Sequence, residues 1–442
     1  MRAEAQALRV SEWTNLSAAR RGAARACGRV SAALVRPVAD IVTHPVVREI
    51  TAPARIATGW YVRAWQQRVR PPRADVLPRT PPSLLLALHI AFDETVLSVA
   101  RLVKGTPPDA DVERIEHEAI EALDLFRAHG WLDEPASYHE DPPPLTEVTL
   151  RKARSGAVRY TVLSYESGYE PRRGEPGRDR WLGHVENRTA YAWMLRHDEP
   201  RPWLVCIHGA AMGAAASDLR VFRAAWLHSV LGLNVVLPIQ PRHGPRREGL
   251  PFGVGFPDQD LMDNVHAVAQ SIWDIRRLLG WIRMQQPDAP IGVQGLSLGG
   301  YTAALLAGLD DDLACVIAAV PAVDFANLME RHAPAHFRND PRLHRLTELA
   351  RDVQRVISPL AIEPRVAFDR RYIYAGIADR LVHPLHQVQQ LWAHWDEPTI
   401  TWFQGSHVGF FLTHRIREFL EESLRDAGLL DHMPPTELES SA

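Results

Sequence analysis

The sequence predicts an α/β fold: a mostly parallel central sheet covered by helices, with a helical N-terminal extension and a lid insertion. Three observations predict it. Beyond residue 145, short apolar runs alternate with helical stretches, the texture of parallel strands joined by crossover helices. Ahead of residue 145 the pattern is helical and punctuated by proline. Between the runs at 315–320 and 371–375, residues 325–365 exceed an ordinary connection and show helical periodicity around 343–356, as a lid or cap does.

A chain of 442 residues can hold one large core and a smaller module. With 46% hydrophobic and 23% charged residues and a net charge of −3, it belongs to the ordinary globular class, neither disordered nor membrane-embedded. Cys27, Cys206 and Cys315 show no paired spacing, so neither a disulfide framework nor a zinc site follows. Arg20, Arg21, Arg25 and Arg29 interrupt any apolar signal-peptide core, and a cytoplasmic protein is expected. Charge is uneven: residues 1–80 carry 14 Arg against 5 Asp plus Glu, a balance of +9, leaving −12 for the rest. Such a segment meets anionic lipid or nucleic acid, or docks on the acidic remainder of its own chain. Docking within the chain is the expectation, with peripheral membrane contact as the alternative. No nucleic-acid reader motif accompanies the arginines.

Within the extension, Pro37, Pro45 and Pro53 are expected to limit the first helices to short pieces. The apolar run at 84–103 is about long enough to span a bilayer, but Asp93 and Glu94 sit at its middle. Each central carboxylate costs roughly 2.5–3.5 kcal/mol on an insertion scale, so a buried helix of a soluble domain is expected instead. From Asp111 onward, Val112, Ile115, Ala119, Leu123 and Phe126 recur at helical spacing, and Gly130 stands at a C-terminal cap position. Proline-rich stretches at 70–82 and 141–144 read as linkers. The expected division is therefore a helical extension over 1–144, a catalytic domain over 145–430 and a C-terminal tail over 431–442.

The α/β part begins with strands at 147–150 and 158–163, joined through Ser155 and Gly156 as an antiparallel hairpin. Apolar runs follow at 203–207, 234–238, 291–294, 315–320, 371–375 and 399–403. In parallel sheets the chemistry lies in the loops after the C-terminal ends of the strands. The run at 291–294 leads into Gly295-Leu296-Ser297-Leu298-Gly299-Gly300 and then an alanine-rich helical stretch. This strand, tight turn and helix would hold Ser297 exposed, and a side chain at Gly295 or Gly299 would obstruct it.

At this turn the chain resembles the α/β-hydrolase superfamily, in its serine esterase/lipase-like, abhydrolase-domain form, and the resemblance covers roughly 146–428. The strand at 203–207 runs into His208-Gly209-Ala210-Ala211, which looks like the superfamily's oxyanion loop and implies that Ala210 and Leu298 supply the oxyanion-hole amides. The segment Tyr374-Ala375-Gly376-Ile377-Ala378-Asp379 resembles the superfamily's acid loop, with Asp379 at the acid position. His407, in Gly405-Ser406-His407-Val408-Gly409, then stands where the catalytic histidine does. The order Ser297, Asp379, His407 is the superfamily's own. Asp324 is an alternative acid, because some members carry theirs after the preceding strand; it would otherwise cap the helix beginning near Ala326.

The resemblance implies hydrolysis of a carboxylic ester through an acyl-enzyme, with lipid acyl esters as substrates if the cap is apolar. It implies no cofactor and no metal. The alternatives are an acyltransferase using the same triad and a non-catalytic scaffold on the hydrolase fold. A helical N-terminus ahead of this core is similar in layout to one abhydrolase-domain family connected with phospholipid deacylation, sharing with it only the superfamily's motifs. Arg242, His243, Arg246 and Arg247 lie in a long loop expected to border the pocket. They form either an anion site or, as expected, a solvated, salt-bridged loop. His266 and Asp274 receive no role. The extension either adds a second wall to the pocket or serves as a docking or membrane-surface module.

Overall fold

A computed structural model describes residues 45–69, 78, 82–249, 255–334, 336–408 and 414–430. Cys27, Pro37, the arginines at 20–29, most of the 70–82 linker and the 431–442 tail lie outside the described residues. Pro45–Val69 forms a single helix, α1, with Pro53 inside it, which corrects the expectation of short pieces. Pro53 removes one intrahelical hydrogen bond, but Ala57 packs in one cluster with Leu86 and Ile90 of the next helix, and such tertiary burial overrides local propensity. That next helix, α2 (Leu84–Lys104), is capped by Ser83 and ends at Gly105 with φ 63°. In α3 (Asp109–Ala128) the five periodic residues named above are all buried, and Gly130 has φ 73°, the left-handed conformation that glycine adopts without strain.

The described residues form a nine-stranded sheet. Its strands are β1 (Thr149–Ser155), β2 (Val158–Glu166), β3 (Thr189–Leu195), β4 (Trp203–Ile207), β5 (Asn234–Pro238), β6 (Ile291–Leu296), β7 (Cys315–Ala319), β8 (Arg371–Gly376) and β9 (Thr399–Phe403). β3 is the strand missed by the apolar-run pattern. The spatial order is β1-β2-β3-β5-β4-β6-β7-β8-β9. The pairs β1/β2, β2/β3 and β3/β5 are antiparallel and the others parallel. This is the α/β-hydrolase fold.

Alternation along each strand divides the core in two. Val205, Val293, Val316 and Ile373 face one cluster, which includes α3 and the long helix α7 (Leu261–Gln285). Leu204, Ile317 and Tyr372 face the other, which includes the two short helices α5 (Ala215–Val221) and α6 (Ala224–Ser229) and the last helix, α12 (His414–Asp426). Between them in sequence lie α4 (Arg178–Leu182), α8 (Leu298–Ala307), α9 (Phe325–His332), α10 (Pro341–Val353) and α11 (Val388–His394). Helices α9 and α10 belong to the long connection between β7 and β8.

Candidate active site

β6 delivers Ser297 at φ 57°, ψ −111°, a conformation that costs an L residue about 1–3 kcal/mol. The surroundings hold it there: the Ser297 N–H donates to the Ala319 carbonyl at 2.8 Å, and its own carbonyl accepts from Tyr301 at 3.0 Å and Ala322 at 3.2 Å. The flanking glycines follow from space. A Cβ on Gly295 would stand 2.0 Å from the Gly299 carbonyl oxygen, and one on Gly299 would stand 1.9 Å from that of Ile207. Ser297 thus opens α8, and Leu298 is the first residue of a helix whose initial N–H groups have no partner within the helix.

The loops after β8 and β9 bring Asp379 and His407 to this serine. His407 Nε2 lies 3.0 Å from Ser297 Oγ, and Nδ1 lies 2.6 Å from Asp379 Oδ2. The carboxylate accepts, so Nδ1 carries the proton and Nε2 is left to accept from the serine hydroxyl. The other Asp379 oxygen accepts the Val382 N–H at 2.7 Å, which fixes its plane. Both Asp379 and His407 are buried, whereas Ser297 is partly exposed. Burial alone would push the His407 imidazole down, but the Asp379 charge and hydrogen bond, helped by a second carboxylate at Asp93, raise its pKa above the ordinary histidine value. Asp324 caps α9, accepting the Asn327 N–H at 2.9 Å; of the two candidate acids, Asp379 is the one that meets His407.

Asp93 comes from α2, far away in sequence. Its Oδ2 accepts the backbone N–H of His407 at 3.0 Å and that of Arg380 at 3.1 Å, and its Oδ1 accepts the Ser406 hydroxyl at 2.9 Å. Glu94 beside it pairs with Arg380 at 2.8 Å. Burial first, and then the Asp379 charge, push the Asp93 carboxyl up to about 6. Sequence reasoning weighed these two acids only against a membrane span and missed their partners. The available signal was chemical: two adjacent carboxylates in an apolar helix require partners once buried.

His208 is completely buried, and burial lowers its pKa to about 4, leaving it neutral. Its Nε2 accepts the Gln240 N–H at 3.1 Å, so the ring proton is on Nδ1, which donates to the Gly209 carbonyl at 2.8 Å. Because a trans peptide points its C=O and N–H to opposite sides, this bond sets the direction of the Ala210 N–H. Ala210, Leu298 and Ser297 all line one cavity of about 310 Å³. Its walls are mostly apolar, with Val96, Leu97 and Ala100 from α2 and Leu328, Phe337 and Leu346 from the β7–β8 connection, and with Arg101, Asp258 and His332 among the polar residues that line it. The extension therefore contributes a wall of the cavity that contains the serine.

No protein-family model matches the chain. Two Mycobacterium tuberculosis proteins, uncharacterized protein MT2702 of strain CDC 1551 and uncharacterized protein Rv2627c of strain H37Rv, are each 46% identical over 386 residues, covering 87% of this chain and 92% of theirs. The chain belongs to their family. Since 386 residues exceed the span 145–430, the likeness reaches beyond the sheet domain. Among solved structures the chain is similar to acetyl xylan esterase from Paenibacillus sp. R4, with TM-score 0.47 and 17% identity over 66% of this chain and 93% of that one. It is also similar to acetyl xylan esterase 1 from Thermoanaerobacterium sp. JW/SL YS485, with TM-score 0.45 and 16% identity over 73% and 99%.

The arginine loop is a correction. None of Arg242, His243, Arg246 and Arg247 lines the cavity, and Arg246 is fully buried, not solvated. It pairs with Asp274 at 2.9 Å and donates to the carbonyls of Ile239 and Asn187 at 2.8 and 2.9 Å. Asp274 also accepts the Ser167 hydroxyl at 2.5 Å, so this pair ties the loop after β5 to α7. Arg242 meets His184, which itself contacts Glu248 at 2.9 Å. His266 is buried with Nε2 2.9 Å from the Pro176 carbonyl, a packing position. The expected buried helix at 84–103 also needs correction: its carboxylates face inward and much of its apolar surface faces outward. No described helix is long and apolar enough to cross a membrane.

Proposed function

We propose that this chain is a serine hydrolase that cleaves carboxylic esters bearing an apolar acyl group. The observation that carries the reading is the unbroken series Ser297 Oγ, His407 and Asp379, at 3.0 and 2.6 Å, opening on a mostly apolar cavity. In this reading His407 takes the hydroxyl proton as Ser297 Oγ attacks the ester carbonyl. The Ala210 and Leu298 N–H groups hold the tetrahedral oxyanion; one such donor is worth about 2.7–4 kcal/mol in the transition state. His407 then gives its proton to the departing alkoxide, leaving an acyl-enzyme. Water, deprotonated by the same imidazole, releases the acid and restores the serine. Asp379 holds the ring in the tautomer that both steps need.

The test is hydrolysis of aryl esters with acyl chains from two to sixteen carbons, by the unmodified enzyme and by Ser297→Ala at equal folded concentration. Activity that the variant loses, rising with chain length up to the capacity of the cavity, supports the reading. Equal rates in both proteins remove Ser297 from catalysis. Fluorophosphonate labelling of Ser297 checks the activated nucleophile without a choice of substrate, and added alcohols reveal transfer to acceptors other than water.

A further inference from the structure

Helix α2 is amphipathic in an inverted sense. Leu84, Leu85, Leu88, Phe92, Val99 and Val103 are 54–71% exposed, and at 3.6 residues per turn they fall on one continuous arc. Its described charged side chains point the other way: Asp93 and Glu94 reach the loops of His407 and Arg380, and Arg101 pairs with Glu49 at 3.0 Å. A helix whose carboxylates face inside and whose leucines face out presents a largely apolar patch, a feature that marks an interaction surface.

Two observations select the occupant. The first is charge. Among the described side chains of α1 and α2, all three carboxylates, Glu49, Asp93 and Glu94, are buried, while Arg48, Arg55 and Arg63 of α1 are exposed. The helix pair therefore offers cations and no exposed carboxylate to whatever it meets, the pattern that anionic headgroups attract. The second is continuity. Val96 and Ala100, at the margin of the outer arc of α2, are exposed and also line the cavity that holds Ser297. An apolar chain leaving a lipid layer at α2 would reach that cavity along an apolar path.

We infer that α2 seats in the plane of an anionic lipid surface, its outer arc at the boundary between headgroups and acyl chains and the α1 arginines toward the headgroups, so that the cavity mouth faces lipid-borne esters. The orientation of the mouth toward substrate rests on the ester-hydrolase reading; the seating of the helix does not.

The experiment uses full-length Ser297→Ala, so that binding is read without turnover. Cosedimentation is measured with vesicles of phosphatidylcholine and phosphatidylglycerol in equal parts, and with phosphatidylcholine alone. The mixed vesicles should bind the protein, more weakly at high salt, and phosphatidylcholine alone should bind less. Leu88→Asp with Phe92→Asp should weaken binding about tenfold or more. With Ser297 restored, the same pair should unfold cooperatively and hydrolyse a soluble short-chain aryl ester at the unmodified rate, which excludes misfolding. Unchanged vesicle binding by the pair overturns the inference. So does a dimer that the pair converts to monomer, which would assign the face to a second copy. Vesicle binding that appears only after removal of residues 1–44 overturns it as well, by assigning the face to that segment. An enzyme that binds vesicles yet hydrolyses no ester leaves the seating intact and removes the ester reading alone.

Discussion

Asp93 accepts the backbone N–H of His407 at 3.0 Å, although the two residues are 314 positions apart in the chain. The same oxygen accepts from Arg380, next to Asp379, so one side chain fixes both the acid loop and the histidine loop. It also sets a second negative charge near the imidazole, one of the causes that raise the His407 pKa. A general base must be neutral to act, so a raised pKa moves the acidic limb of kcat/KM above the ordinary histidine value of about 6.5. Asp93→Asn removes a charge that favours imidazolium; the limb should move to lower pH, and kcat should fall as the loops loosen. A limb that stays in place or moves upward would show that the Asp93 charge does not raise the pKa of the base.

Exchanging each candidate acid separates catalysis from capping. Asp379→Asn should lower kcat by about 10⁴-fold, the size of effect seen when a triad histidine loses its orienting carboxylate. Asp324→Asn should leave kcat/KM nearly unchanged, since its contact is with the first turn of α9 and asparagine caps about as well as aspartate. Steady-state kinetics on one aryl ester decide it. A catalytic defect confined to Asp324→Asn would reverse the assignment.

Arg246→Met should destabilise the protein by about 3–5 kcal/mol, because it leaves the buried Asp274 carboxylate without its cation. Urea unfolding measures this. The ratio of kcat/KM for an anionic and a neutral ester should not change, because the guanidinium does not line the cavity. A selective loss of the anionic substrate would restore the anion-site reading.

Two glycine-to-alanine changes should act in opposite directions. At Gly299 the new methyl would meet the Ile207 carbonyl at 1.9 Å, and stability should fall by at least about 3 kcal/mol, beyond the ordinary range for a point substitution. At Gly280, inside α7, the methyl meets nothing within 4 Å, and stability should rise by about 0.5–1 kcal/mol. Denaturant midpoints of the two variants provide the comparison, and equal effects would show that the close approach at the elbow can relax.

What was legible in the sequence was whatever a short window determines. The parallel strands are continuous apolar runs, and the elbow is a local arrangement of glycines around Ser297, so both could be read directly. β3 escaped because Thr189–Leu195 contains two alanines, a methionine and a leucine, residues as much at home in a helix. Pro53 misled for a related reason, since propensity argues for a break that packing on α2 overrides. The orientation of α2 was not legible. Hydrophobic periodicity assumes that the apolar side faces inward, and here the partners of Asp93 and Glu94 lie near residues 380 and 407, beyond any window. A shorter separation sufficed to hide the burial of Arg246, whose partner Asp274 is 28 residues away on another element.

The span between Asp93 and His407 also bears on the order in which the parts of the site come together. Ser297 and its elbow can form once β4, β6 and β7 have emerged, because their glycine contacts and strand pairings lie within that part of the chain. The imidazole comes only with the loop after β9, whereas the carboxylate that holds this loop lies 314 positions earlier in the chain. A chain that stops short of β9 thus carries the shaped Ser297 turn without His407. The site is complete only when β9 has joined the sheet and the loop that follows it has met Asp93.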